Sequence, residues 1–351
     1  MLNLPEVSMF GITPVRAELA SGGFSGTPVW KIVEGDDRCW ALRQFPDDAD
    51  IIRRFNAIGR LQLWLREQGL EFVPAPALPV RRLITGQSAG TKYSINGRVC
   101  VEDRRAWMME SWMPGHCLTC DPSSSQLQET LNRLNDLHDA MKRYGERSPE
   151  LPWIQCRRDS SPGVRRRVLL AAELTSEKLR ELEVGASQDQ NQTFGQLTLR
   201  YLESLRRKLP ELRSRLSRVA EIAFSLQPVI RDLWRPHVLF VGDTLTGLID
   251  WAAMDCDHVA FDVTRLFRSW YGSGNRQVVE ALDLFANQRG LNLEERQLLE
   301  ALDMATVMLS PMTWVRRRYE ERTLSVVTED VLKRMEELVM IAEGYCEPTS
   351  A

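Results

Sequence analysis

The sequence predicts an α+β fold in which strands occupy the first third of the chain and helices most of the remainder. Residues 21–43 have the pattern of a strand, a turn and a second strand. Residues 49–68 carry the three- and four-residue apolar spacing of a helix, and helical spacing dominates again after Gly115. Strands and helices that are segregated along the chain favour this class over a doubly wound sheet.

The composition is that of a soluble globular protein. The 351 residues are enough for two compact domains, and 43% hydrophobic with 26% charged residues indicates neither a disordered nor a membrane protein. Because 45 Lys and Arg balance 48 Asp and Glu, we expect no nucleic-acid partner. The N-terminus lacks a basic start followed by a long apolar run, so we expect a cytoplasmic protein without a membrane partner.

Each element of the first third has a local signal. The glycine-rich stretch SGGFSG precedes a run of β-forming residues, the turn signal GDD and a second β-rich run. The helix over 49–68 is predicted to stop at Gly69. A second β-rich region contains the turn ING and ends in AWMMESWMPG, where Pro114 and Gly115 break the pattern.

Helical patterns fill the rest of the chain apart from one β segment. A first core helix is indicated by apolar residues on one face, namely Leu127, Leu131, Leu134, Leu137 and Met141. Its start is predicted to be capped by Ser123, Ser124 or Ser125. A polar loop is expected over 186–194, and helical spacing returns from Gln277 to Tyr345.

The β segment is predicted to be a hairpin. The runs Val238–Val241 and Thr244–Ile249 are joined by Gly242-Asp243, which is a two-residue hairpin signal. If Val241 faces Thr244, the chain returns Asp250 to a position opposite Arg235.

The hairpin is expected to bring Asp232, His237 and Asp250 together at its mouth. Crowded carboxylates are costly unless a cation or a basic partner compensates them, so a metal-phosphate site is one interpretation. The alternative is that Asp232 braces a loop and Asp250 ends a strand in solvent. The two aspartates together with the hairpin favour the first interpretation.

This segment resembles the catalytic core of the superfamily of aminoglycoside phosphotransferases, choline kinases and type II homoserine kinases. The family pattern is HGD, four residues, Asn, a hairpin and a second Asp. Asp232 stands at the first aspartate, His237 at the asparagine and Asp250 at the second aspartate. Asp262 in VAFD matches the aspartate that braces the catalytic loop in the family, and His138 lies on the first large helix, where a structural role is expected.

The resemblance implies a bilobal, protein-kinase-like fold with a nucleotide-binding lobe over 1–112 and a helical lobe over 113–351. The second lobe would carry the catalytic hairpin and the acceptor site. The implied activity is ATP-dependent transfer of phosphate to a hydroxyl group of a small molecule, with ATP and Mg²⁺ or Mn²⁺ as cofactors. The partners are then a nucleotide and a small-molecule acceptor.

The resemblance also implies roles for individual residues. Asp232 would orient or deprotonate the acceptor hydroxyl, while Asp250 and His237 would hold the metal. Nucleotide binding is assigned to the glycine-rich loop, a basic clamp and the hinge, namely Gly22, Gly23, Gly26, Arg43, Glu110 and Trp112. The basic run containing Arg165, Arg166 and Arg167 is interpreted as a solvated helix start, and contact with an anionic acceptor is the alternative.

The sequence departs from the family pattern around the hairpin. Ile230 and Arg231 replace the histidine and glycine of HGD, and His237 replaces an asparagine, although imidazole suits softer metals than Mg²⁺. Arg43 replaces the usual lysine. Its acidic partner is unassigned because Glu67, the only Glu in the predicted helix, lies near the helix end and is interpreted as an exposed residue. The alternative functions are a catalytically impaired pseudokinase that binds a nucleotide or a protein partner, and a helical scaffold without a ligand.

Overall fold

A computed structural model of the chain describes residues 7–20, 28–80, 94–147, 151 and 153–346. The strands are β1 (Pro14–Leu19), β2 (Val29–Glu34), β3 (Cys39–Pro46), β4 (Ser94–Asn96), β5 (Val99–Glu102), β6 (Arg105–Ser111), β7 (His116–Cys117), β8 (Arg157–Ser160), β9 (Ala223–Val229), β10 (Val238–Val241), β11 (Thr244–Leu248) and β12 (Asp255–Asp257). The α-helices are α1 (Ala49–Glu67), α2 (Ser124–Arg147), α3 (Pro162–Glu173), α4 (Ser176–Ser187), α5 (Gln192–Ala220), α6 (Ala260–Tyr271), α7 (Asn275–Arg289), α8 (Leu293–Tyr319) and α9 (Glu329–Cys346). The predicted α+β class is confirmed.

The described residues divide into two compact units. The first comprises those up to Leu118 together with Asp139–Tyr144 and Pro236–Ala252, and therefore contains the hairpin. The second comprises the described parts of Thr119–His138, Gly145–Arg235 and the chain from Ala253 onward. The predicted lobes, residues 1–112 and 113–351, stay a prediction.

The first unit is built on a six-stranded antiparallel sheet in the order β1-β2-β3-β6-β5-β4. Strand β6 is buried on both faces because alternate side chains enter different apolar clusters. Trp107 and Met109 lie in one cluster with Trp30, whereas Ala106 and Met108 lie in the other. The strand-turn-strand pattern predicted from the GDD turn is confirmed for the described residues by β2 and β3.

Helix α1 also belongs to the first unit, and its bounds agree to within one residue with the predicted helix over 49–68. Asp48 caps its N-terminus because the carboxylate accepts hydrogen bonds from the backbone N–H groups of Asp50 and Ile51, each at 2.9 Å. The helix ends before Gly69, whose φ of +86° favours glycine.

The predicted hairpin is confirmed as β10 and β11, with Val241 paired to Thr244. Gly242 has a φ of +60°, which the first residue of such a turn requires and which glycine adopts readily. A β-bulge between Leu239 and Phe240 shifts the register by one residue, so that Val238 pairs with Leu248. The expectation that Asp250 faces Arg235 was therefore wrong by one residue.

The second unit is mostly helical. Ser123 caps α2, since its hydroxyl accepts from the N–H of Gln126 while the Gln126 side chain accepts from the N–H of Ser123. The predicted loop over 186–194 shortens to the few residues between α4 and α5. A three-stranded sheet in the order β12-β9-β8 was not predicted. None of the helices that the structure describes combines the length and apolarity needed to cross a membrane.

Candidate active site

Arg43 on β3 is held by a buried acidic partner in the first unit. Its Nε donates a hydrogen bond to Oε1 of Glu110 at 3.2 Å, and Nε2 of Gln62 on α1 donates to the other oxygen at 3.1 Å. Strands β3 and β6 are adjacent, with Ala41 paired to Glu110, so sheet register places this carboxylate within reach of Arg43. Glu110 is the acidic partner that the sequence left unassigned.

Asp250 follows β11 and contacts the other end of the same guanidinium. The Nη1 of Arg43 lies 3.2 Å from Oδ1 of Asp250, and Nε2 of His237 lies 3.6 Å from Oδ2. Burial alone would lower the pKa of Arg43, but the charges of Glu110 and Asp250 raise it above its ordinary value. Arg43 is therefore a fixed cation in this site.

The backbone of Asp250 is itself unusual. Its φ is +64°, in the left-handed region that non-glycine residues rarely adopt. Such strain is typical of positions where the surrounding structure holds a functional side chain in one orientation.

The donor chemistry near Asp250 fits a hard cation. Mg²⁺ prefers carboxylate oxygens and needs only one or two from the protein, because phosphates and water complete its coordination. Asp250 meets this requirement, whereas the imidazole of His237 suits softer metals. Among the residues that the structure describes, no group of three or more His, Cys, Asp or Glu side chains is arranged to hold a metal.

The remaining predicted nucleotide-binding residues fall into two groups. Gly22, Gly23 and Gly26 lie outside the described residues. Trp112 is exposed, with Nζ of Lys31 at 5.0 Å from its ring centroid, and its backbone N–H donates to the carbonyl of Cys39 at 2.9 Å. Nucleotide contacts at Glu110 and Trp112 stay predictions.

Asp232 belongs to the second unit, in the loop after β9. Its Oδ1 lies 2.7 Å from Nη2 of Arg265 on α6, and about one third of the side chain is exposed. Arg265 and Arg334 both lie over the ring of the neighbouring Trp234, with centroid distances of 6.0 and 4.7 Å. The carboxylate is thus oriented by a cation on a helix and is still accessible.

The backbone of the same loop is fixed by Asp262 on α6, which is fully buried. Its Oδ1 accepts from the N–H of Arg231 at 2.6 Å and its Oδ2 from that of Ile230 at 3.2 Å. The buried His138 ring nitrogen Nε2 lies 2.9 Å from Oδ2. The predicted bracing by Asp262 and the structural role of His138 are confirmed.

We expect Asp262→Asn to lower the free energy of unfolding by about 2 kcal/mol, because the amide NH₂ faces backbone donors and leaves one buried N–H without an acceptor. Chemical denaturation of wild type and variant measures this difference. An exposed aspartate on α2, Asp136, supplies the control Asp136→Asn. Equal unfolding free energies for all three proteins would contradict the bracing role.

Comparison with known proteins identifies one protein family and several similar structures. The model of the phosphotransferase enzyme family matches residues 16–299. No curated protein sequence matches the chain.

Several solved structures are similar to the chain. An aminoglycoside phosphotransferase from Alicyclobacillus acidocaldarius is 14% identical with a TM-score of 0.62, over 97% of this chain and 92% of that chain. Spectinomycin phosphotransferase APH(9)-Ia, in complex with ADP and spectinomycin, is 12% identical with a TM-score of 0.61, over 97% of both chains. A thermostable mutant of aminoglycoside phosphotransferase APH(4)-Ia, in complex with AMP-PNP and hygromycin B, is 12% identical with a TM-score of 0.53, also over 97% of both chains. These matches confirm the predicted kinase-like fold class.

Proposed function

Because the chain belongs to the phosphotransferase enzyme family, we propose that it transfers the γ-phosphoryl group of ATP to a hydroxyl group of a small molecule. The observation that carries the proposal is the contact between Arg43 and Asp250, a basic and an acidic group 3.2 Å apart beside the hairpin. Phosphoryl transfer depends on the positioning of the reactants and on neutralisation of phosphate charge. In this proposal Arg43 and Asp250 supply both. The nucleotides ADP and AMP-PNP in two similar structures support ATP as the donor.

Each predicted site residue has a role in this proposal. Asp232 orients the acceptor hydroxyl and takes its proton while the new oxygen–phosphorus bond forms and the bond to the ADP oxygen breaks. Arg43 pairs with phosphate oxygens, and Glu110 holds Arg43 in position. Asp250 binds Mg²⁺, which when bound neutralises phosphate charge.

Two further regions complete the proposed nucleotide site. Phosphate binding is assigned from the sequence to Gly22, Gly23 and Gly26, which lie outside the described residues, because a backbone N–H without a neighbouring Cβ can approach a phosphate closely. Trp112 is the nucleotide contact that we propose at the hinge. His237 contacts the Asp250 carboxylate, so its proposed contribution is to the orientation of the metal ligand.

We expect Mg²⁺ to tighten ATP binding to the wild-type protein by about tenfold, which is about 1.4 kcal/mol, and Asp250→Asn to remove this coupling. The carboxylate is the charged oxygen donor, and a neutral amide binds the ion far less strongly. Calorimetric titration of ATP with and without Mg²⁺ measures the coupling. Asp47→Asn, at an exposed aspartate of the same unit, is the control and should retain it.

Transfer itself is tested by a single-turnover reaction of radiolabelled ATP with a pool of hydroxyl-bearing metabolites. Label that moves from ATP to an organic acceptor supports the proposal. Mg²⁺-dependent ATP binding without any transfer would favour the pseudokinase, for which the replacement of asparagine by His237 is the supporting feature. Absence of ATP binding would overturn both.

A further inference from the structure

Two arginines of the second unit, Arg167 and Arg231, lie over the buried ring of Phe261. Arg166 pairs with the same carboxylate as Arg231, and we call the three residues the arginine patch. The guanidinium carbon of Arg167 lies 4.6 Å from the ring centroid and that of Arg231 lies 5.7 Å from it. Arg166 and Arg231 share one carboxylate oxygen, Oδ2 of Asp255, at 3.5 and 2.8 Å. The patch therefore concentrates three positive charges around one aromatic ring and one carboxylate.

The nearby carboxylates do not neutralise Arg167. Asp255 is occupied by the other two arginines. Asp257 is fully buried and accepts hydrogen bonds from the Ser161 hydroxyl at 2.5 Å and from the Gly163 N–H at 2.9 Å. Arg167 donates to the carbonyl of Gly163 at 3.2 Å, and it has no ion pair with an acidic side chain among the described residues.

Burial and the neighbouring positive charges destabilise the charged form of Arg167. Burial, and then the charge of Arg231, lower the pKa of Arg167 to about 10, with further lowering by Arg265 and Arg166, while Asp257 opposes the change. Burial and Arg166 likewise lower the pKa of Arg231. Cations in this condition are stabilised by an anion that accepts their hydrogen bonds.

Arg231 also occupies a backbone position that disfavours it. Its φ is +66°, and the family pattern HGD has glycine at this position. Its Nε is buried and has no hydrogen-bond acceptor within the described part of the chain. A strained residue with an unsatisfied buried donor suggests that the side chain is kept for a ligand.

The patch lies near Asp232, because Arg231 directly precedes Asp232 in the chain. In addition, Arg265 contacts Asp232, and its charge lowers the pKa of Arg167. Given the proposed function, on which this inference rests, we propose that the phosphate acceptor carries an oxyanion group, a carboxylate or a phosphate, that binds Arg167 and Arg231. A guanidinium fork matches such groups with two parallel hydrogen bonds. Acceptors with amino groups, which are cations at neutral pH, are disfavoured by the same charges.

Binding of simple probes to the full chain without ATP tests the inference. Glycerate, glycerol 3-phosphate, glycerol and choline all carry a hydroxyl group but differ in charge. At constant ionic strength, the thermal unfolding midpoint should rise with one or both of the anions and remain unchanged with glycerol and choline. A response to glycerate alone assigns a carboxylate, and one to glycerol 3-phosphate alone assigns a phosphate.

Arg167→Met should weaken anion binding at least about tenfold, the usual effect of losing one charged hydrogen-bond partner. Its midpoint without ligand should be equal to or above that of the wild type, since a crowded cation is removed, whereas a purely structural Arg167 would give a lower midpoint. Arg165→Met, on the same helix but half exposed, is the matched control and should bind anions as the wild type does.

The outcomes separate this inference from the proposed function. Anion binding that depends on Arg167, in a protein that transfers no phosphate, supports the anion site and contradicts the function. Phosphoryl transfer to neutral or cationic acceptors with no anion effect, or equal anion binding in Arg167→Met, overturns the inference.

Discussion

Asp232→Asn is expected to lower the rate of phosphoryl transfer by about a thousandfold, the middle of the range for a positioned general base. Asparagine keeps the shape of the side chain but does not take up the acceptor proton. ATP affinity should change by less than about twofold, because the loss falls on the chemical step rather than on nucleotide binding. Single-turnover transfer and a separate ATP titration measure the two quantities.

The local structure indicates that this loss would not arise from unfolding. Asp232 and Arg265 are 33% and 40% exposed, and pairs this exposed contribute at most about 1 kcal/mol. The amide oxygen of the variant still accepts a hydrogen bond from Arg265. We therefore expect an unfolding midpoint within a few degrees of the wild type, with transfer nearly abolished.

The exposed Asp136 supplies the control for this experiment as well, and Asp136→Asn should transfer phosphate at the wild-type rate. Retention of more than about a third of wild-type transfer by Asp232→Asn would remove Asp232 from the chemistry, because general bases contribute at least about a hundredfold. Loss of ATP binding in Asp232→Asn would instead indicate a structural role.

Elements with a strong local signal could be predicted from the sequence. Helix α1 carries an apolar spacing over five turns and stops before a glycine, and the hairpin has a turn dipeptide between two β-rich runs. Strands β8 and β12, of four and three residues, are too short to show alternation, and Pro228 lies within β9. Their pairing depends on contacts distant in sequence, so local patterns could not identify this sheet.

The candidate site shows the same limit. The sequence indicates Asp232 and Asp250 because the predicted hairpin lies between them. Glu110 was missed as the partner of Arg43 because the two are 67 residues apart and meet through the register of β3 and β6. Likewise, the run of arginines on α3 did not reveal that Arg167 packs on Phe261, since ring contacts follow from tertiary packing.

Helix α6 connects the loop of Asp232 to the rest of the second unit. Near its start, Asp262 holds the backbone of Ile230 and Arg231. Near its end, Arg268 binds Asp303 on α8 through two hydrogen bonds of 2.6 and 2.7 Å, and both side chains are buried. The position of the loop thus depends on how firmly α6 is anchored to α8.

Asp303→Ala is expected to lower the free energy of unfolding by about 3–5 kcal/mol, because it leaves the Arg268 charge buried without its carboxylate. The hydrogen bond from Arg268 to Asn275 at 2.8 Å remains but carries no compensating charge. For a unit of this size the unfolding midpoint should fall by roughly 10 °C, which calorimetry measures. Asp283→Ala, at a mostly exposed aspartate, should change it little.

The double variant Arg268→Met/Asp303→Leu distinguishes the effect of the unpaired Arg268 charge from the effect of lost packing. Replacing both charged groups with apolar side chains removes the unpaired cation, so we expect the double variant to recover most of the stability that Asp303→Ala loses. A double variant no more stable than Asp303→Ala would mean that the packing of α6 on α8, rather than the unpaired charge, determines the loss. Because α6 also holds the Asp232 loop, stability and phosphoryl transfer should recover together in the double variant.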